Sequence, residues 1–149
     1  MSAQQSLYIV IVGCGRLGSY LANKLSLYGH SLVVIDTNTS AFDSLSTQFS
    51  GFQIEGDATE FAVLKQAKLE KADLLIATTE RDNVNLMVAQ IAKKLFNVSQ
   101  VMARVFDPKR AQVYRDFGIE GICPITVAGD AFLSSYVKSN IIPPGEDAP

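Results

Sequence analysis

An α/β fold, with a parallel sheet covered by helices on both faces, is predicted by three observations. Short apolar runs alternate with amphipathic stretches along the chain. Most of the runs are continuously apolar, as strands buried on both faces are. The β-α alternation repeats about six times, and successive parallel strands then require right-handed crossovers. The class is a doubly wound α/β domain of about six strands. A length of 149 residues, without internal repeat or linker, accommodates one such domain.

The strands are predicted at residues 7–12, 31–35, 52–55, 72–77 and 100–105, with a weaker one at 121–123. After the first strand, Leu17, Tyr20, Leu21, Leu25 and Tyr28 form one helical stripe, which Gly29 ends. Shorter helices are expected at 40–49 and 60–67. Over 82–96, Val84, Met87, Val88, Ile91, Ala92 and Leu95 recur with the helical period. In "DPKRAQVYRDFG", Asp107 is the expected N-cap, Pro108 the first helical residue and Gly118 the stop.

The last helix, 125–140, sets Ala128, Phe132 and Tyr136 on one face, while Val127, Leu133 and Val137 carry apolar surface round its sides. Asp130 and Lys138 are its only charges. Such a helix either folds back on its own domain or offers a second apolar face to a partner. A terminal helix can cover only one face of a sheet, which disfavours the first option. The tail "PPGEDAP" reads as disordered. The domain is therefore drawn at 1–140 and a flexible tail at 141–149.

A formal charge of −2 and a pI near 5.3, without a Lys/Arg stripe, argue against a nucleic-acid partner. Lys93 and Lys94 read as a solvated helix face. No run approaches the ~20 apolar residues of a membrane span, so direct insertion is not expected. Residues 7–12 also lack the basic flank of a signal peptide. Cys14 and Cys123 lie far apart in apolar surroundings, which predicts buried free thiols and a reducing, cytoplasmic setting.

The first strand runs into "GCGRLG", a GxGxxG that opens a helix, the context in which this motif cradles phosphates. Gly13 makes the tight turn, Gly15 lets the backbone approach a pyrophosphate, and Gly18 permits close helix–strand packing. The helix N-terminus supplies free N–H groups for the anion. Arg16 opposes the helix dipole, a small cost that a nearby phosphate would reverse. Asp36 ends the second strand, 21 residues after Gly15, placed to accept from a ribose diol and to repel a 2′-phosphate. The alternative for Asp36 is a turn cap before Thr37 and Asn38. This Rossmann-like pattern predicts NAD(H) or ATP, ADP or AMP, and not NADP. "EGDAT" (55–59) and "ATTERDN" (77–83) follow the third and fourth strands, at the ligand-bearing edge; both also suit plain turns and N-caps, with Thr59 ahead of Glu60 and Thr79 ahead of Asp82.

Together "YIVIVGCGRLGSYLANKL", "VVID", "GDAT", "ADLLIATT…DNVNLMVAQIAKKL" and "VMARVFDP" resemble the N-terminal nucleotide-binding domain of the RCK (regulator of potassium conductance) family, in its Trk- and Ktr-type potassium-uptake branch. The resemblance runs from about Leu7 to Ser139. It implies a cytoplasmic regulatory subunit, peripheral to the inner face of the membrane, that binds NAD(H) or ATP/ADP/AMP. Its partners would be its own copies, as a homodimer or larger ring, and a membrane potassium transporter or channel. It also favours a last helix that crosses to a neighbouring subunit. Carried over, Gly13, Gly15, Arg16 and Gly18 hold phosphates, with Leu17 in the same loop, and Asp36 holds the ribose beside Thr37. Asp57 and Ala58, followed by Thr59, face the adenine; Thr78, Thr79 and Arg104 line the crevice. Arg81 and Asn83 depart from the acidic residues frequent in the family, and Ile125 stands where an acidic residue is common.

The rival is an NAD-dependent oxidoreductase domain. Its chemistry needs a proton donor, but the one histidine, His30, precedes the second strand on the opposite edge. A Tyr-x-x-x-Lys pair is absent, since Gly118 and Asn140 stand four residues after Tyr114 and Tyr136. A methyltransferase fits the third glycine poorly, and a bare scaffold would not need an intact loop. The missing catalytic constellation together with the resemblance therefore predicts a sensor, not an enzyme.

Overall fold

The computed structural model describes residues 5–139. In chain order its elements are β1 (Tyr8–Val12), α1 (Arg16–Leu27), β2 (Ser31–Asp36), β3 (Phe52–Glu55), α2 (Phe61–Gln66), β4 (Leu74–Ala77), α3 (Asp82–Lys94), β5 (Gln100–Arg104), α4 (Ala111–Asp116), β6 (Glu120–Ile122) and α5 (Pro124–Lys138). The six strands form one all-parallel sheet in the order β3-β2-β1-β4-β5-β6, the predicted doubly wound, Rossmann-like class. Residue 140 and the predicted tail at 141–149 lie outside the described residues.

Burial follows strand position. Every residue of β4, and Ile9 to Val12 of β1, is buried, because both strands are central and covered on both faces. On the edge strand β3 only Ile54 is buried. Alternate residues feed two cores. Ile9, Ile11, Leu32 and Val34 pack with Ala22 of α1 and Phe42. Val10, Val12, Val33 and Ile35 face Leu64, Val88 and Tyr114 on the helices of the other layer. The order in which strands are added reverses between β1 and β4, and a crevice opens at their carboxyl ends.

Several local expectations are corrected. The stripe on α1 faces the sheet only in part: Leu21 and Leu25 pack against the core, Tyr20 and Tyr28 are exposed, and the buried residues are Gly18, Ser19 and Ala22. Small side chains let this helix lie close to the strands. On α3, Met87 and Leu95 are exposed while Asn85 is fully buried. The helix expected at 40–49 is a 3-10 turn, Thr39–Ser44, capped by the Asn38 side chain, which accepts the Ser40 N–H. Thr59 and Thr79 are not N-caps; Glu60 and Arg81 hold those positions. The predicted 107–118 helix begins as a 3-10 turn, Pro108–Arg110, capped by the Asp107 side chain, and continues as α4. Cys14 and Cys123 are free and buried, as expected. Among the described residues no helix is long and apolar enough to cross a membrane.

Candidate functional site

The glycine loop is built by contacts from both neighbouring strands. The Gly13 N–H donates to the Ile35 carbonyl of β2 at 2.8 Å, and Gly13 takes φ +99°, which a side chain would strain. The Thr78 hydroxyl, at the end of β4, lies 3.1 Å from both the Val12 and the Gly13 carbonyl oxygens. A Cβ on Gly18 would fall 1.9 Å from the Gly13 oxygen, so only glycine lets α1 start this close to the strand. Gly15 is different: its φ is −74°, and a Cβ there meets nothing within 4 Å. No steric contact within the fold requires glycine at that position.

Gly15 is also the N-cap of α1, and no side chain caps it. The first turn holds no acidic residue. Its N–H groups face a cavity of about 720 Å³ along the carboxyl edge of the sheet. One wall is Gly13, Gly15 and Arg16; the next is Asp36, Thr37 and Asn38. Beside these, after β3, lie Asp57 and Ala58, and the floor and wall on the β4 and β5 side are Thr78, Thr79, Arg81 and Arg104. Of the predicted site residues, Leu17, Gly18 and Thr59 are not in this lining. Gly18 acts through packing, Leu17 is half-buried on α1, and Thr59 donates through N–H and hydroxyl to Asp57 Oδ1 at 2.9 and 2.7 Å. Those bonds hold the Asp57 carboxyl below the usual range.

Asp36 does two things. Its Oδ2 accepts the Cys14 N–H and its Oδ1 the Asn38 N–H, both at 2.8 Å, so the turn-cap role is real. Each oxygen keeps a further acceptor site for a ligand hydroxyl. Cys14 points into the core, and burial together with the Asp36 charge pushes its thiol up to about 11.

Sequence reasoning did not single out Asn38, Ala41 or Val84, although all line the crevice; Gly56, Glu80 and Arg81, which line it too, fall in the stretches 55–59 and 77–83 that it set at the ligand-bearing edge. It also missed Asn85, which sits fully buried beneath the floor. Its Oδ1 accepts from the Thr79 N–H and hydroxyl at 2.9 and 2.6 Å, and its Nδ2 donates to the Thr79 and Arg104 carbonyls at 2.9 and 3.2 Å. The Arg104 guanidinium lies 4.2 Å from the Phe106 ring centroid, and its Nε is buried with no partner among the described residues. The lining carries Arg16, Arg81 and Arg104 against Asp36, Asp57 and Glu80, and among the described residues it contains no His, Cys, Lys or Tyr. Such a set can hold an anion and a diol together.

A family model described as the TrkA-N domain matches residues 9–124. The chain is 36% identical over 137 residues to the Trk system potassium uptake protein TrkA of Streptomyces coelicolor, covering 92% of this chain and 61% of that protein. It is 31% identical to the TrkA homolog of Pyrococcus abyssi, covering 95% of this chain and 63% of that one. The chain thus spans about three-fifths of the length of these relatives. Among solved structures, the TrkA-N domain of the inner membrane protein ybaL from Escherichia coli superposes with a TM-score of 0.77 at 23% identity, over 88% of this chain and 97% of that one. The Kef C-terminal domain of Shewanella denitrificans, solved in its AMP-bound form, gives 0.73 at 21% identity, over 89% and 82%. The GsuK channel bound to NAD gives 0.71 at 22%, over 89% and 24%.

Proposed function

The chain belongs to the TrkA-N domain family, and from that premise we propose that it is the nucleotide-sensing part of a potassium-uptake regulatory subunit. Gly15 carries this reading: it stands at a helix N-terminus that no side chain caps, in one lining with Asp36, and no steric contact within the fold requires a glycine there. In this reading Gly13, Gly15 and Arg16 hold phosphates, with Gly18 and Leu17 shaping the loop. Asp36 and Thr37 take the ribose, Asp57 and Ala58 the adenine with Thr59 fixing their turn, and Thr78, Thr79 and Arg104 bound the far side. The ligand is NAD(H) or ATP, ADP or AMP; the Asp36 charge disfavours the 2′-phosphate of NADP.

The domain comprises residues 1–140, followed by a tail at 141–149. It works in the cytoplasm beside the membrane, as a homodimer or ring on a potassium transporter or channel, without inserting or binding nucleic acid. It binds rather than transforms its ligand, a reading supported by relatives named as potassium uptake proteins. That the relatives are potassium-uptake proteins, and that fold neighbours were solved with NAD and AMP, supports both halves of the reading.

The test is a thermal-shift series with NAD⁺, NADH, ATP, ADP, AMP and NADP⁺. A true ligand at 100 times its Kd stabilises by about 2.7 kcal/mol, or a Tm rise of roughly 5–11 °C. Asp36→Ala should weaken that ligand roughly 10- to 150-fold, the loss of a charge-assisted hydrogen bond worth about 1.5–3 kcal/mol. No shift with any adenine nucleotide overturns the proposal.

A further inference from the structure

Phe106 touches three parts of the molecule at once. Its ring lies under the Arg104 guanidinium, which lines the crevice. Its N–H donates to Asp82 Oδ1 at 2.9 Å, at the first residue of α3. Its carbonyl accepts from the Cys123 Sγ at 3.7 Å, and Cys123 is the N-cap of α5. The first hydrogen bond of α5 then runs from the Val127 N–H to the Cys123 carbonyl at 3.1 Å. No residue of α5 is buried, so this helix takes its direction from its first turn. Arg104 meanwhile has a buried Nε without a partner among the described residues. An anion in the crevice gives the guanidinium a counter-charge and fixes it over the ring.

We infer that Phe106 is a positioning residue that couples the crevice to α5: it seats Arg104 for the ligand, and ligand occupancy in turn tightens the Phe106–Cys123 contact at the start of the helix. This rests on the crevice being an adenine-nucleotide site. Coupling is reciprocal, so whatever fixes α5 also favours ligand binding.

The probe is ADP, used with the full chain at saturation judged from each variant's own calorimetric Kd. The readout is the alkylation rate of Cys123, followed by peptide mass spectrometry. In the unaltered chain ADP should slow the reaction at least threefold. Phe106→Leu, which keeps an apolar side chain but removes the aromatic face, should lose most of that slowing; Phe106→Tyr should keep it. Any global stabilisation by ADP is common to all three and cancels in the comparison. As a measurement free of mutations, ADP should slow hydrogen exchange at the Val127 amide more than at Ser139, at the other end of the helix. Equal slowing in Phe106→Leu, uniform exchange along α5, or binding without any slowing overturns the coupling alone. No ADP binding in the unaltered chain, with a response to another adenine nucleotide, moves the same test to that nucleotide. No binding of any of them overturns the functional reading and the coupling with it.

Discussion

A methyl group added at Gly18 would come within 1.9 Å of the Gly13 carbonyl oxygen, whereas one added at Gly15 meets nothing within 4 Å. The two alanine variants should therefore separate folding from binding. Gly18→Ala should destabilise by at least the upper part of the about 1–3 kcal/mol typical of overpacking, read as a lower urea midpoint. Gly15→Ala should cost no more than about 1 kcal/mol, through a poorer N-cap, yet weaken nucleotide binding at least tenfold. The opposite pattern would remove the reason for assigning Gly15 to the ligand. The cysteines offer a second contrast. Hydrogen bonds from the Thr126 side chain and backbone hold the Cys123 thiol below its ordinary value, while burial pushes Cys14 up to about 11. A depressed pKa leaves more thiolate at a given pH, so iodoacetamide at pH 7.5 should modify Cys123 well before Cys14. Faster reaction at Cys14 would contradict the described geometry.

Asn85 shows how an element can hide a site residue from its sequence. A polar residue on an amphipathic helix reads as solvent-facing, but here one side chain satisfies the Thr79 N–H, hydroxyl and carbonyl as well as the Arg104 carbonyl. Asn85→Leu should cost about 2–4 kcal/mol, because buried donors and acceptors beneath the crevice lose their partners; denaturant titration measures it. The strands were legible because central parallel strands must be apolar throughout, and the run lengths gave their bounds to within two residues. The glycine loop and Asp36 were legible because each has a geometric task. The helix faces were legible only in part: Val84, Val88, Ile91 and Ala92 of α3 pack as their spacing indicates, but α1 buries Gly18, Ser19 and Ala22 while two tyrosines of its apolar stripe are exposed. Close approach to a sheet selects for small side chains, which carry little hydrophobic signal. Arg81 was read as a departure from a family pattern and turns out to line the crevice, because the turn before α3 aims its N-cap residue there.

At the scale of the whole molecule, α5 is the least satisfied element. Ile125, Val127, Phe132, Leu133, Tyr136 and Val137 are all exposed on it, Phe132 by 79%. An apolar surface of that kind is the mark of an interface. Light scattering of the full chain at high micromolar concentration should give a dimer or larger assembly, and Phe132→Glu should shift it towards monomer; a monomeric unaltered chain would sink the assembly proposal. Stability should also fall in alkali. Burial raises Cys14 to about 11 and Tyr114 to about 12, from ordinary values of 9.0 and 10.0, and Tyr8 moves the same way. The folded state prefers these groups protonated, so their contribution is complete below about pH 9 and is lost as pH rises through 11–12. The urea midpoint should be lower at pH 10.5 than at pH 8. The support that Thr78 gives the glycine loop has a further consequence during synthesis. Its hydroxyl reaches Gly13 across 65 residues of sequence. At ~5–20 residues per second, a ribosome makes the loop roughly 3–13 s before it makes the threonine. Until then the nascent chain carries the whole GxGxxG word without the wall that gives it a shape, and a nucleotide bound as proposed would act as a folding ligand only for a chain that already extends past β4.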